Sequence, residues 1–406
     1  MKPGGEMSAD RIGALTLCAA VIAAAPAVAQ EGRQLNFGLS ANIVHDTNVA
    51  RSSKQLADLR GVESEDTIFT PAATFDVVVP LGRQAVFASG LLGYDFYQRN
   101  DNLNRERLLL NGGLSGKIGP CAPSVTGSYV RAQSDLRDVT LLDPTNTVQT
   151  KSIGISATCA RPAGFGFTVS GEKAWSENSS DFLQQADYER NTYSASLNYG
   201  RPTLGTLRVF TQFQDVEYPN KVNIPGFSTG FGAWNTGVGF ERKLGARIQG
   251  DVSVSYNSVE MDGGFEGAGG TYDGVGYAGN LEYRATSRLD ATFNFSKQIT
   301  PSIRVGDAYT VQERIAVRAS YDLTGNLALE AGAESLDERY RGQIPIGDPR
   351  IGLTDSTINT LQSALTYKPS DRLAFRLSLE RQKRDASNPL YDYTSNRIGL
   401  RADLTF

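Results

Sequence analysis

The sequence contains a single histidine, His45, among 406 residues, together with only three cysteines and two tryptophans. Structural and catalytic zinc sites take three or four ligands from His, Cys and carboxylates, so one histidine without an acidic cluster predicts no metal site. No phosphate-binding loop or dinucleotide fingerprint is present, and no cofactor is expected. The formal net charge of −4 argues against a nucleic-acid partner.

Long apolar runs are missing once the amino-terminal 29 residues are set aside. Residues 1–29 have a positively charged start, an apolar stretch over 12–25 and an A-x-A cleavage site at Ala27–Ala29, as secretory signals do. We therefore expect a signal peptide over 1–29 and a barrel domain over 30–406. No later stretch supplies the roughly 18 apolar residues of a transmembrane helix, so only a closed β-barrel could span a bilayer.

The carboxyl-terminal residues 397–406 alternate apolar with polar side chains and stop on Phe406. Successive side chains of a strand point to opposite faces, so one face here is apolar and the other is charged. This pattern resembles the closing strand of bacterial outer-membrane barrels, with the edge strand of a soluble sheet as the alternative. We expect Leu400, Leu404 and Phe406 to close the barrel and support its assembly.

Short turn signals recur every 39 to 44 residues along the rest of the chain. Each period holds two alternating strands, one short turn and one longer polar stretch, whereas a propeller blade would hold four short strands. Eight short turns join sixteen strands, and the first and last strands bring the total to 18. The predicted fold is an all-β, single-chain antiparallel transmembrane barrel with short periplasmic turns and long extracellular loops.

The strand faces opposite the apolar side carry ions of both signs, which predicts a wet lumen. A barrel of this size encloses an aqueous channel, although most of these ions could simply hold the wall together. Arginines on strand 14 and glutamates on strand 15 predict pairing across the wall. The residues expected to line the lumen are Arg208, Glu241, Glu282, Arg284, Arg314, Arg318, Glu330, Glu334, Arg376, Glu380, Arg397 and Arg401.

Two further features have more than one interpretation. Cys121 and Cys159 lie beside successive short turns and could form a disulfide in an oxidising compartment, or remain two separate thiols. His45 precedes Asp46, and such a pair could act as a catalytic base or be polar residues at the outer end of the first strand. Base catalysis also needs an oriented nucleophile. None is identified, so no catalytic residue is predicted.

Two short motifs resemble a known family. Ile43–Val49 is similar to the "Y-D-S-N-V" end of the first strand in the putative β-barrel porin type 2 family, with His45 where tyrosine is commoner. Tyr129–Leu136 resembles the "R-x-x-S-D-L" strand end of that family. The resemblance covers most of the mature chain. It implies an outer-membrane passage often associated with exopolysaccharide export, and it implies no catalytic residues.

Together these observations predict a water-filled passage in the outer membrane, with an exopolysaccharide as the first candidate cargo. The alternatives are a general diffusion porin for small solutes, a barrel-embedded hydrolase using His45, and a structural or adhesive barrel. Expected partners are outer-membrane lipids and lipopolysaccharide, the barrel assembly machinery and a periplasmic polysaccharide export protein. Loop folding separates the first two, because a porin narrows its lumen with an inward loop and a polymer exit needs a clear bore.

Overall fold

The computed structural model describes residues 33–137, 144–161, 163–221, 229–262, 271–304, 307–342 and 352–406. These residues form one closed antiparallel sheet of 18 strands and a short helix α1, Lys54–Leu59. The predicted signal peptide lies outside them. The strands are β1 Gln34–Asp46, β2 Asp66–Leu81, β3 Gln84–Tyr97, β4 Arg105–Gly116, β5 Cys121–Gln133, β6 Thr147–Cys159, β7 Gly164–Asn178, β8 Tyr188–Arg201, β9 Gly205–Glu217, β10 Gly230–Leu244, β11 Ile248–Met261, β12 Tyr272–Arg284, β13 Leu289–Pro301, β14 Tyr309–Thr324, β15 Leu327–Arg341, β16 Asp355–Ser370, β17 Leu373–Ala386 and β18 Tyr393–Thr405.

The barrel closes where β18 pairs with β1, and the predicted fold class and strand number are confirmed. Leu400 lies opposite Ile43 in this pairing. Beyond the last paired residues, the backbone N–H of Phe406 donates to the carbonyl of Phe37 at 2.8 Å. Closure leaves no unpaired sheet edge along this seam, as a bilayer requires.

The outward side of the strands is apolar and exposed. Leu400 is 55 % exposed and Ile155 is 62 % exposed. Proteins surrounded by water rarely have so many large aliphatic side chains with this degree of exposure. Aromatic residues lie at the turn ends of strands, among them Tyr367 and Phe406, which are 48 % and 65 % exposed. An apolar band edged by aromatic residues is the pattern of a lipid-facing barrel wall. Among the described residues, no helix has the length and apolar character needed to cross a membrane.

The short turns at one end of the barrel are tight and regular. Gly82 and Gly245 have φ values of +70° and +65°, a left-handed conformation that glycine adopts without steric cost. Cys121 and Cys159 face each other across β5 and β6 close to this end, and their sulfurs are bonded. The disulfide therefore ties together two neighbouring turns on the side that the barrel rule assigns to the periplasm.

The buried apolar clusters lie at the opposite end of the barrel, among the long loops. Three clusters contain buried residues from eight of the nine loop regions, 47–65, 98–104, 134–146, 179–187, 218–229, 302–308, 342–354 and 387–392, counting described residues only. Because loops from different sides of a wide barrel share these clusters, the chain at this end folds inward over the lumen.

Candidate functional site at the lumen and its extracellular mouth

Strand alternation places all twelve predicted lumen residues on the inward side of the wall. Arg376 and Glu380, for example, alternate along β17 with Leu377 and Leu379, which are 45 % and 49 % exposed on the outward side. The inner wall is therefore charged along much of its length. Water must accompany these ions, because an unpaired charge in a dry interior is too costly.

Ion pairs link the inner faces of neighbouring strands in the described part of the wall. Arg314 on β14 and Glu334 on β15 are joined at 2.5 Å, as predicted. Glu330 of β15 pairs with Arg376 of β17 at 2.8 Å. The long arginine reaches over the intervening strand, donating to the hydroxyl of Thr366 at 3.2 Å on the way.

Other lumen ions are neutralised close to their own position. Arg401 donates to Asp403 two residues later at 2.8 Å, and Arg284 donates to Asp290 across the next turn at 3.1 Å. Each side chain in these two pairs is a fifth to two-thirds exposed, and exposed pairs contribute at most about 1 kcal/mol. The geometry of these four residues therefore fits the interpretation that such ions hold the wall.

Asp46, the last residue of β1, is a completely buried ion at the mouth. Its carboxylate accepts hydrogen bonds from Arg397 at 2.8 Å, from Arg51 at 2.7 Å and from the hydroxyl of Ser395 at 2.7 Å. The backbone N–H of Asn48 donates to it at 2.8 Å. Asp46 thus joins the barrel seam to the start of the first loop, a role that we did not predict from the sequence.

His45 and Asp46 do not form a catalytic pair. The imidazole lies on the outward side of β1 with its Nδ1 atom 3.2 Å from the hydroxyl of Thr67 and its Nε2 atom 3.6 Å from Glu65. The Asp46 carboxylate points to the other side of the strand, towards Arg397. Nor do the described ranges bring any three His, Cys, Asp or Glu side chains together as metal ligands.

The first loop, residues 47–65, lies across the mouth. Helix α1 presents Leu56, 1 % exposed, to a cluster with Tyr340 of β15 and Tyr391 of the last loop. The guanidinium of Arg60 donates to the carbonyl of Leu136 in the third loop at 2.8 Å. One loop therefore contacts two others that start from well-separated strands.

A second bridge crosses the opening between β17 and the third loop. Arg384, fully buried, donates to the carbonyl of Arg137 at 2.9 Å and to the hydroxyl of Tyr340 at 3.0 Å. Strand β5, which leads into this loop, lies six strands from β17 in the sheet, a third of the circumference. Burial acts to raise the pKa of Asp135, and the adjacent guanidinium of Arg137, 2.7 Å away, outweighs it and lowers that pKa.

The turn between β13 and β14 supplies a third contact over the lumen. The hydroxyl of Tyr218, in the fifth loop, donates to the carbonyl of Ala308 at 2.5 Å and lies 3.2 Å from that of Ser302. The guanidinium of Arg304 lies over the rings of Tyr340 and Tyr391, 5.0 Å and 5.1 Å from their centroids. This turn consequently links the fifth loop to the cluster around the first and last loops.

These contacts define a lumen lined by ions and narrowed at one mouth. Sequence analysis found the ions, because strand alternation sorts them from the lipid-facing residues. It did not identify Arg51, Arg60 or Arg384, whose partners are carbonyls and side chains distant in the chain. The only sequence signal for them was the length of the first loop, 47–65, which is long enough to return over the opening.

Comparison with known proteins identifies one family. The family model described as "Putative beta-barrel porin 2" matches residues 172–406, more than half of the chain. No curated protein sequence matches this chain. Among solved structures, Pseudomonas aeruginosa OccK2 (OpdF) in complex with glucuronate is 12 % identical and covers 93 % of this chain and 100 % of its own, with a TM-score of 0.48.

Two other solved structures give similar values. A BenF-like porin from Pseudomonas fluorescens Pf-5 is 11 % identical, covers 93 % of this chain and 99 % of its own, and has a TM-score of 0.49. Acinetobacter baumannii OccAB3 is 11 % identical, with coverages of 92 % and 99 % and a TM-score of 0.47. At this identity the likeness concerns the fold alone.

Proposed function

This chain is an outer-membrane β-barrel of the putative beta-barrel porin 2 family, and from that premise we propose that it passes small water-soluble solutes. The observation that carries the proposal is the meeting of extracellular loops over the lumen. Arg60 to the carbonyl of Leu136 and Arg384 to the carbonyl of Arg137 are hydrogen bonds between segments from different sides of the barrel. Such bridges leave only limited openings around them.

The same bridges remove the support for polysaccharide export. A polymer leaving the cell needs a bore that stays clear over its whole length, whereas Leu56, Tyr340 and Tyr391 form a packed cluster in the mouth. Export through this arrangement would require at least three loops to separate together. A diffusion porin needs no such change, because narrowing at the mouth is what limits its solutes by size.

The charged inner wall supports passage over a purely structural role. Arg376, Glu330 and Arg314 line the interior, and a barrel that only anchors or adheres has no need of a hydrated interior. The hydrolase alternative loses its main support because His45 and Asp46 point to opposite sides of β1. These two arguments leave solute passage as the preferred function.

Swelling of proteoliposomes in solutes of graded size tests the proposal. Vesicles containing the purified protein should swell quickly in a monosaccharide, more slowly in a trisaccharide and not at all in a long oligosaccharide. Vesicles made with heat-unfolded protein are the control. Failure to swell in any solute would overturn the proposal in favour of a structural role, and equal rates for all sizes would restore the polymer-export hypothesis.

A further inference from the structure

The barrel wall has a break between β12 and β13 at the extracellular end. The two strands pair from Arg284↔Asp290 up to Tyr277↔Lys297 and no further, although β12 continues to Tyr272 and β13 to Pro301. Each strand keeps its other neighbour over this stretch, since β11 pairs with β12 up to Tyr272 and β14 pairs with β13 up to Pro301. The end of the β13–β14 hairpin therefore leaves the wall as a unit.

The hairpin end turns into the lumen. Tyr309 and Val311 share the outward side of β14 with Ile315, which is 46 % exposed, yet they are 0 % and 4 % exposed themselves. Their cluster contains Phe231 and Val259, from the inward sides of β10 and β11. The rings of Phe231 and Tyr309 are 5.4 Å apart. The outward side of the hairpin thus packs against the inner wall on the far side of the break.

The side-chain pattern of the hairpin end is the alternation of a wall strand, next to a charged outward pair, Lys297 and Glu313. Its outward positions, Ile299, Tyr309 and Val311, are apolar, and its inward positions are Gln or Thr: Gln298, Thr300, Thr310 and Gln312. This apolar side packs on Phe231 and Val259 in the mouth, and the same side would face outward in the wall. The same residues therefore suit two placements, one in the mouth and one in the wall.

Strand β12 offers a matching partner for the second placement. Continuing the observed β12–β13 register without a shift would bring Gly276 opposite Gln298 and Val275 opposite Ile299. Val275 is 57 % exposed on the outward side, so the added pair would extend the apolar surface. The backbone groups of residues 272–276 that face β13 would then gain the ladder hydrogen bonds that their neighbours lower in the wall already make.

We propose that the hairpin end, residues 298–304 and 307–312, is a gate with two positions. In one it covers the extracellular mouth, held by Tyr218 and Phe231. In the other it completes the wall by pairing with residues 272–276 of β12, and the passage widens. The gate rests on the proposed function, because it regulates the same passage.

A pair of cysteines can lock the second position. Val275→Cys with Ile299→Cys places two thiols opposite each other only when the hairpin joins the wall. The control, Leu281→Cys with Phe293→Cys, changes an outward pair that is already in register six residues lower, where both positions of the gate give a bond. Both variants keep the Cys121–Cys159 disulfide, so reduction affects that bond equally in each.

Mild oxidation in lipid bilayers should cross-link both variants, and should raise the conductance of only the Val275/Ile299 variant. Because the wall position widens the passage, locking it should raise the conductance above the wild-type value, and reduction should reverse the rise. Cross-linking of the control without cross-linking of the Val275/Ile299 variant would overturn the gate. So would a complete cross-link that leaves conductance unchanged.

The same recordings separate this proposal from the proposed function. If wild-type protein shows no conductance and no solute uptake while the control variant cross-links normally, the passage itself is refuted. If wild-type protein conducts and the Val275/Ile299 variant never cross-links, only the gate is refuted. Each result therefore decides one of the two proposals.

Discussion

The carboxylate of Asp46 and the guanidinium of Arg397 are 2.8 Å apart and lie directly opposite each other where β1 and β18 close the barrel. The same carboxylate holds Arg51 of the first loop at 2.7 Å. One buried ion therefore connects the seam of the cylinder to the segment that covers its mouth. The integrity of the wall and the narrowing of the passage depend on the same residue.

Replacing Asp46 with alanine should weaken the closed barrel. The change leaves Arg51 without this carboxylate and Arg397 with Glu380, 3.2 Å away, and breaking a buried ion pair costs about 3–5 kcal/mol. The temperature at which the folded band is lost in a heat-modifiability gel should fall clearly. Asp403→Asn is the matched control, because its partner Arg401 is on the same strand and the pair is partly exposed. Equal shifts for the two variants would contradict the account.

Deletion of Phe406 should lower the amount of folded barrel in the outer membrane. The deletion removes the N–H that donates to the carbonyl of Phe37 and an aromatic ring that is 65 % exposed on the lipid side. Phe406→Leu keeps the backbone and the apolar character, and should fold nearly normally. Folded yield is measured by heat-modifiable migration of outer-membrane fractions. Unchanged yield after the deletion would show that the terminal residue is not needed for closure.

Loosening the first loop should widen the passage. Leu56 and Leu59 lie on the same helix, but Leu56 is 1 % exposed in the mouth cluster and Leu59 is 63 % exposed. Leu56→Ser removes about 2 kcal/mol or more of the stabilisation that burial of the leucine provides, and it should raise single-channel conductance. Leu59→Ser should leave conductance as it is. The loop would not limit the passage if both variants conduct like the wild type.

Thiol counting tests the disulfide and the predicted signal cleavage together. Of the three cysteines in the sequence, Cys18 lies in the predicted signal peptide, and Cys121 and Cys159 are bonded to each other. Denatured mature protein should therefore react with no maleimide before reduction and with two after it. One reactive thiol before reduction would point to an uncleaved amino terminus, and two would point to an open disulfide.

Conductance should fall as the pH rises through about 8. Burial lowers the pKa of Lys221 to about 8, while the carboxylate of Asp307 acts in the opposite direction. Because burial lowers its pKa, Lys221 loses its proton more readily in the buried position than in an exposed one. The buried position therefore becomes more stable as the pH rises towards the pKa of an exposed lysine. Lys221 contacts the carbonyl of Asp307 and the ring of Tyr218, so its neutral form should favour the covered mouth.

The control for this pH effect is Lys221→Met, which keeps the length of the side chain and removes its titratable amino group. Bilayer recordings of the variant at about pH 7 and about pH 9 should give equal conductance. A wild-type conductance that increases with pH would contradict the sign of the prediction. The same fall in both proteins would assign the effect to other groups.

The wall was predictable from the sequence because lipid on one side and water on the other impose a period of two on every strand. The spacing of the short turns gave the number of strands, and the alternation gave the inward position of Arg376. The same alternation also fixes the orientations of His45 and Asp46. The alternation that puts Ile43 outside also puts His45 outside and Asp46 inside, which separates the two members of the supposed catalytic pair.

The mouth was not predictable, because its contacts leave no local pattern. Arg384 donates to the carbonyl of a residue 247 positions away, and a carbonyl has no sequence signature. The end of the β13–β14 hairpin has the alternation of an ordinary wall strand, so nothing in residues 298–301 indicates that they turn inward. The sequence analysis named an inward loop as the feature that separates a porin from a polymer exit, but no sequence pattern indicated which of the two this chain has.

Polymer exclusion measured from each side of a planar bilayer shows whether the loops narrow one mouth of the passage. Single channels of the wild-type protein are recorded with neutral polymers of graded radius added to one compartment at a time. We expect a smaller cut-off radius on the extracellular side, where the loops meet, than on the side of the short turns. An equal, large cut-off from both sides would mean that the bore is clear and that the loops do not narrow it.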